Sequence, residues 1–180
     1  MKIRSINVVN YRQYQNLDLD LSSNSDFVVI VGTNGFGKSN LLSAISWCLY
    51  GQESKAGKNL HYENSIVNFQ VAQQLRPGES CEVSVELDIS LSGGQIATIR
   101  RSQVFVKGDL GGIGKGTDQS FRVLHQSRAD KGFEDVGDPE FWRDRRFPAR
   151  LQPYFLFDGE RLDSFLREDR AASVESAIME

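Results

Sequence analysis

The stretch Phe27-Val28-Val29-Ile30-Val31-Gly32-Thr33-Asn34-Gly35-Phe36-Gly37-Lys38-Ser39 joins an apolar run to a glycine-rich octet that ends in Lys-Ser. Glycines in such a loop let the backbone wrap an anion with its N–H groups, and a helix that follows aims its positive end at the same charge. Gly32, then Gly37-Lys38-Ser39 five residues on, is the P-loop spacing. In it Lys38 reaches the outer phosphates of a nucleotide and the Ser39 hydroxyl ligates Mg²⁺. The run from Phe27 to Val31 reads as a continuous apolar strand in a buried central position. Leu41, Leu42, Ile45, Cys48 and Leu49 repeat at three- and four-residue spacing, which predicts a helix from Asn40 that Gly51 closes as a C-terminal cap. Strand, glycine loop and helix in this order predict an α/β P-loop fold.

The bulk composition fits one domain: 180 residues with 39% hydrophobic content can bury an ordinary core. A net charge of −3 means that any nucleic-acid contact must come from a local patch. The two cysteines, Cys48 and Cys81, match no metal spacing, and Cys48 falls on the apolar face of the helix as a buried free thiol. No apolar run approaches membrane-spanning length, and Met1-Lys2-Ile3-Arg4 lacks the core of a signal peptide. A soluble, cytoplasmic protein without a membrane partner is expected.

Along the rest of the chain, alternation over residues 2–9 and 17–21 predicts two half-buried strands around a turn from Asn10 to Asn16. Residues 52–80 are polar and weakly patterned, with one short helix expected around Ser65 to Gln74. Val83, Val85, Leu87 and Ile89, then Ile96 to Val106, read as a hairpin about Ser92-Gly93-Gly94, placed at 81–106. Residues 108–118 hold five glycines and read as a mobile loop, followed by a short strand at Phe121 to Leu124. Asp138-Pro139 is an N-cap with proline at the first helical position, opening a helix that stops before Pro148. Tyr154 to Phe157 reads as a second buried strand, and residues 161–180 as a helix without a C-terminal cap.

Two stretches imitate nucleotide motifs. Leu91-Ser92-Gly93-Gly94-Gln95 spells the ABC-transporter signature, yet the β-branched, alternating residues after it are strand chemistry, so a hairpin turn is expected. Gly111 to Thr117 contains Gly-Lys but has Asp109 and Gly116 where a P-loop needs glycine and Ser/Thr; it reads as a surface loop. Tyr154-Phe155-Leu156-Phe157-Asp158-Gly159-Glu160 carries more. Four apolar residues ending in Asp158 resemble a Walker B strand, with Glu160 nearby to polarise water. The alternative is a plain buried strand with Asp158 capping the helix from Arg161. Arg143, Arg145, Arg146 and Arg150 gather around Trp142 and Phe147, either as a phosphate-binding patch or as a solvated helix face paired with Asp144 and Glu140. Arg100 and Arg101 point to opposite faces of one strand. His61 and His125 read as surface or local structural residues.

Together, Met1 to Leu21 with Asn10-Tyr11-Arg12, the loop through Ser39-Asn40-Leu41-Leu42, Trp47-Cys48-Leu49-Tyr50-Gly51 and Phe157-Asp158-Gly159-Glu160-Arg161 resemble the N-terminal lobe of SMC-like ABC ATPases. The nearest likeness is to the DndD, SbcC and Lamassu LmuB type, associated with DNA repair and anti-phage defence. The resemblance implies an ABC-type lobe over residues 1–160 with an antiparallel β-subdomain, and a helix over 161–180 leading toward a coiled coil. It implies ATP and Mg²⁺ as cofactors, with Arg12 near the phosphates and Thr33, Asn34, Gly35, Phe36, Gly37, Lys38, Ser39 and Asn40 around the nucleotide. Lys38 and Asp158 would be the catalytic groups, and Ser39 and Asp158 the metal-binding ones. Asp158 stands where relatives often carry Gln, and a carboxylate cannot donate to a phosphate.

By the same resemblance the partners are a C-terminal lobe of the same ATPase, a second head joined through ATP, DNA, and a nuclease or effector subunit. The signature helix, an Asp-Glu Walker B and a switch histidine are not found in this sequence, so the chain by itself is expected to be poorly active. Two other readings stay open: a self-contained small P-loop NTPase or kinase using Asp158 and Glu160, and a nucleotide-dependent DNA-binding module with negligible turnover.

Overall fold

A computed structural model describes residues 1–22, 28–33, 35–52, 66–128 and 130–152. The expected strand at Tyr154 to Phe157, Asp158, Glu160, His61 and the helix over 161–180 lie outside these residues, as does Asn34. The centre of the fold is a six-stranded antiparallel sheet in the order β2-β1-β3-β4-β5-β6. Its strands are β1 (Lys2–Tyr11), β2 (Tyr14–Asp20), β3 (Ser80–Ser90), β4 (Ile96–Lys107), β5 (Ile113–Gln126) and β6 (Glu134–Asp135). Helices α1 (Lys38–Tyr50), α2 (Phe69–Gln74) and α3 (Pro139–Arg146) complete the described elements, with single 3₁₀ turns at Ser92–Gly94 and Ala149–Leu151.

Strand alternation sorts the two faces of the sheet. Leu19, Ile6, Leu87, Ile99 and Val123 stand in register across five strands and form one apolar row on the inner face. On the outer face the corresponding rows are polar. Asp88 accepts from Ser5 and Thr98 hydroxyls at 2.7 and 2.6 Å, and Arg100 lies between Glu82 and Glu86 at 3.5 and 3.7 Å. Such exposed pairs each contribute little, on the order of 0.2–1 kcal/mol, so the inner face holds the sheet together.

Helix α1 packs on that inner face across β3 and β4. Every residue from Ser43 to Leu49 is buried, which is more than one amphipathic stripe. Small side chains at Ser43, Ala44, Ser46 and Cys48 allow close approach on several sides. Cys48 sits directly on the sheet with its thiol 3.3 Å from the Val85 carbonyl, and Trp47 meets Tyr11 of β1 at 5.9 Å between ring centroids. Cys48 and Cys81 are both free thiols, Cys48 fully enclosed and Cys81 half-buried.

Several expectations change. Residues 28–33 form no strand, and Val28, Val29, Ile30 and Val31 are 42, 65, 48 and 87% exposed. Every pairing in the described sheet is antiparallel, and no described strand pairs with the run. The helix begins at Lys38, two residues before the expected start. The β1–β2 turn is tighter than expected, only Arg12 and Gln13 separating the strands. Half of the glycine-rich loop is strand: Ile113, Gly114 and Lys115 pair with Lys107, Val106 and Phe105, the register then shifts between Lys115 and Gln119, and the turn around Gly108 to Gly112 is irregular. The β3–β4 hairpin stands, as do the short helix after residue 65 and the cap at Asp138, whose carboxylate accepts from the Phe141 amide at 2.9 Å.

Candidate nucleotide site

The glycine loop delivers the chain into α1 through Gly37, whose φ of +99° excludes most side chains. A Cβ there would also run into the Gln13 side-chain amide and lie 2.8 Å from the Tyr14 hydroxyl, so both would have to move off the loop. Gly35 is also left-handed, at φ +85°, but a Cβ there would meet nothing within 4 Å. The N-terminus of α1 has no side-chain cap and no acidic residue in its first turn. Its leading N–H groups are therefore left to an anion, as a phosphate site requires.

The opposite end of α1 is closed with care. The helix carries no basic residue of its own in its last turn, yet three of its terminal carbonyls are satisfied, one by its glycine cap and two from other elements. The Gly51 amide donates to Trp47 O at 2.8 Å, Arg101 Nε of β4 to Cys48 O at 2.9 Å, and Arg143 Nη1 of α3 to Leu49 O at 3.1 Å. Arg101 is 3% exposed and lies 4.1 Å over the Phe121 ring, in line with Val85 of the apolar face. Burial pulls its guanidinium below the ordinary arginine value. Two cations thus offset the negative end of the helix, leaving the positive end at the glycine loop uncompensated.

Lys38 folds back over the loop, donating from Nζ to the Gly32 and Thr33 carbonyls at 2.6 and 2.9 Å. Those two bonds hold the ammonium at the mouth of the loop. Ser39 is exposed in the first turn, and Phe36 projects outward. Asn40 donates from Nδ2 to Gln13 Oε1, and the Tyr14 hydroxyl donates to Gly37 O at 3.0 Å. Burial raises the Tyr14 phenol above its ordinary value and keeps it a donor. The β1–β2 turn is therefore docked on the glycine loop through Gln13 and Tyr14, the two residues that follow Arg12.

Among the described residues, Arg12 is one of two non-glycine residues with positive φ, at +48°; the other is Asn10 at +56°. Gln13, Tyr14 and Asn68 are not evident from the sequence pattern, and neither is the part of Arg101 and Arg143 in closing α1. The one hint is Asn10-Tyr11-Arg12, which breaks the alternation of β1. Among the expected site residues, Thr33, Gly35, Phe36, Gly37, Lys38, Ser39 and Asn40 follow one another in the loop and first turn of α1, and Arg12 lies in the turn docked on them; the chemistry fits a Mg²⁺-nucleotide: uncapped amides, an ammonium and an exposed hydroxyl.

The model of the AAA_23 family, described as an AAA domain, matches residues 5–179. The chain belongs to this family. It is an AAA-family P-loop domain built on an antiparallel sheet with few helices. It is also similar to proteins named "DNA replication and repair protein RecF". The relative from Clostridium beijerinckii is 27% identical over 63% of this chain and 30% of its own length. The one from Actinobacillus pleuropneumoniae is 40% identical over 39% of this chain and 18% of its own. The one from Clostridium botulinum (strain Loch Maree) is 24% identical over 58% and 28%. The chain thus spans less than a third of the length of these relatives.

Neither imitating motif is a nucleotide loop: Gly111 to Thr117, expected as a surface loop, runs from a turn into β5, and Leu91 to Gln95 is a hairpin turn. Leu91 to Gln95 closes the hairpin with a Leu91 N–H to Gln95 O bond of 2.8 Å, and Gly93 and Gly94 have φ of +73° and +75°. A single 3₁₀ turn stands there and strand β4 follows it, with no α-helix. The arginine cluster divides: Arg143 is committed to Leu49 O and Asp144, Arg146 stacks 4.1 Å over Trp142, and Arg145 is exposed beside Phe141. His125 is a structural residue, 3.2 Å from Gln95 Oε1 and 5.8 Å from the Trp142 ring. Among the described residues no helix is long and apolar enough to cross a membrane.

Proposed function

We propose that this chain is the ATP- and Mg²⁺-binding N-terminal lobe of an SMC-like ATPase that acts on DNA, in repair or anti-phage defence. The observation that carries the reading is α1 itself, with its C-terminus closed by two arginines and its N-terminus open behind a P-loop. In this reading Lys38 binds the outer phosphates, Ser39 holds Mg²⁺, Arg12 approaches from the β1–β2 turn, and Asp158 adds a metal-binding carboxylate. A C-terminal lobe pairs with the exposed run Val28 to Val31 and supplies the groups that drive hydrolysis. ATP held between two such heads closes a dimer, and hydrolysis releases it. The DNA role rests on the name of the relatives and on the resemblance to SMC-like ATPases.

Binding of a fluorescent ATP analogue with Mg²⁺ tests the site. Lys38→Ala is expected to weaken it at least about tenfold, since a charge-assisted bond to phosphate is lost. Turnover by the 180-residue chain is expected to be near background; sustained hydrolysis by it would instead favour a self-contained NTPase using Asp158 and Glu160. The exposure of Arg145 and Arg146 favours a second reading, a nucleotide-dependent DNA-binding module. Salt-dependent DNA binding that falls on Arg145→Ala and Arg146→Ala would support it.

A further inference from the structure

Asn68, at the N-terminus of α2, is 3% exposed and spends every polar group it has. Its Oδ1 accepts from the Gln70 and Val71 amides at 3.0 and 3.2 Å, capping α2. Its Nδ2 donates to Arg12 O at 2.7 Å, and its own amide donates to Asn10 O at 2.8 Å. The Arg12 amide in turn donates to Ile66 O at 2.7 Å, and Val67 bridges Tyr11. The two carbonyls gripped by Asn68 belong to Asn10 and Arg12, the two described non-glycine residues held at positive φ.

Such conformations persist only where the surroundings over-determine them. Here Asn68 holds both, its side chain on Arg12 O and its backbone amide on Asn10 O, while Asn10 Nδ2 also donates to Glu82 O at 2.9 Å; the next two residues, Gln13 and Tyr14, are the ones that touch Asn40 and Gly37. We infer that Asn68 is a positioning residue of the nucleotide site: it sets the β1–β2 turn against the glycine loop and so fixes where Arg12 meets bound nucleotide. This inference rests on reading that loop as a nucleotide site. It also ties the α2 segment, distant in sequence from the loop, to nucleotide affinity.

The chemistry of asparagine allows the two duties of Asn68 to be separated. Asn68→Asp and Asn68→Ser both keep an oxygen to cap α2, but neither can donate from Nδ2 to Arg12 O. Each is expected to weaken binding of the Mg²⁺-ATP analogue about five- to tenfold. In an Arg12→Ala background the same substitutions are expected to add no further loss, because Asn68 acts through that turn. Hydrogen exchange at the Arg12 amide is expected to accelerate in both variants while exchange in β3 and β4 stays at the wild-type rate.

An equal loss of affinity with and without Arg12 would overturn the inference by making Asn68 a general stabiliser. So would unchanged affinity together with unchanged protection of the Arg12 amide. If wild type and Lys38→Ala bind nucleotide alike, it is the nucleotide reading that fails. Exchange at the Arg12 amide then decides by itself whether Asn68 holds the turn.

Discussion

At the scale of single residues, burial explains why polar groups occur where a sequence pattern expects apolar ones. Arg101 stands in the inner row of the sheet and Ser46 inside the helix packing because each serves a particular carbonyl: Cys48 O for Arg101, and Gln52 O, at 2.9 Å, for Ser46. Cys48 offers a direct measure of this enclosure. Burial pushes its thiol up from an ordinary value of 9.0 to about 12. A thiol that holds its proton more tightly when folded stabilises the fold fully below pH 9.0, and that contribution is lost as pH rises toward about 12. Within that window the slope is about 1.4 kcal/mol per pH unit. Urea unfolding of wild type and Cys48→Ala at pH 8 and 10.5 checks it, with only wild type expected to show this component. Parallel pH profiles would mean that solvent reaches the thiol. The burial of Cys48 is legible from its helical spacing, whereas the arginine beside it is not, because a lone charge in an alternating strand has no period to betray its role.

Among the elements, those with strong local signals match their sequence reading: the β3–β4 hairpin, the capped start of α3 and the closure of α1 by Gly51. Local chemistry decides each, through turn glycines, an Asp-Pro cap and a left-handed glycine at φ +68°. β5 shows the opposite case. Five glycines across residues 108–118 argue for a loop, yet pairing with β4 carries half of that segment into strand, the ladder bonds outweighing poor intrinsic propensity. The hairpin also yields a test that separates a turn from a nucleotide motif. Gly93 and Gly94 are both left-handed with open space around a Cβ, so only backbone strain opposes substitution. Gly93→Ala and Gly94→Ala are each expected to cost about 1 kcal/mol of stability. Nucleotide affinity should not change in either variant, as read by ATP-analogue binding below the unfolding midpoint. A selective loss of affinity without loss of stability would restore the signature reading.

For the molecule as a whole, the sheet and α1 form a core that closes on itself, while the chain leading into the glycine loop is left outside it. Phe27 to Val31 reads as the clearest strand in the sequence, since continuous apolar runs belong to strands covered on both faces. The described fold supplies neither the cover nor the parallel neighbour such a strand needs, so Val29 and Val31 stand 65 and 87% exposed. Four consecutive apolar residues in that state form a patch that calls for a partner. Such a run also should contribute little to the stability of the chain by itself. Val29→Lys with Val31→Lys is expected to shift unfolding free energy by no more than about 0.5 kcal/mol, as for ordinary surface positions. The same pair should reduce binding of a hydrophobic dye and self-association in sedimentation, because the charges break the patch. A loss of several kcal/mol would mean that the run is buried in the isolated chain, and the case for a partner strand supplied by a C-terminal lobe would fall with it.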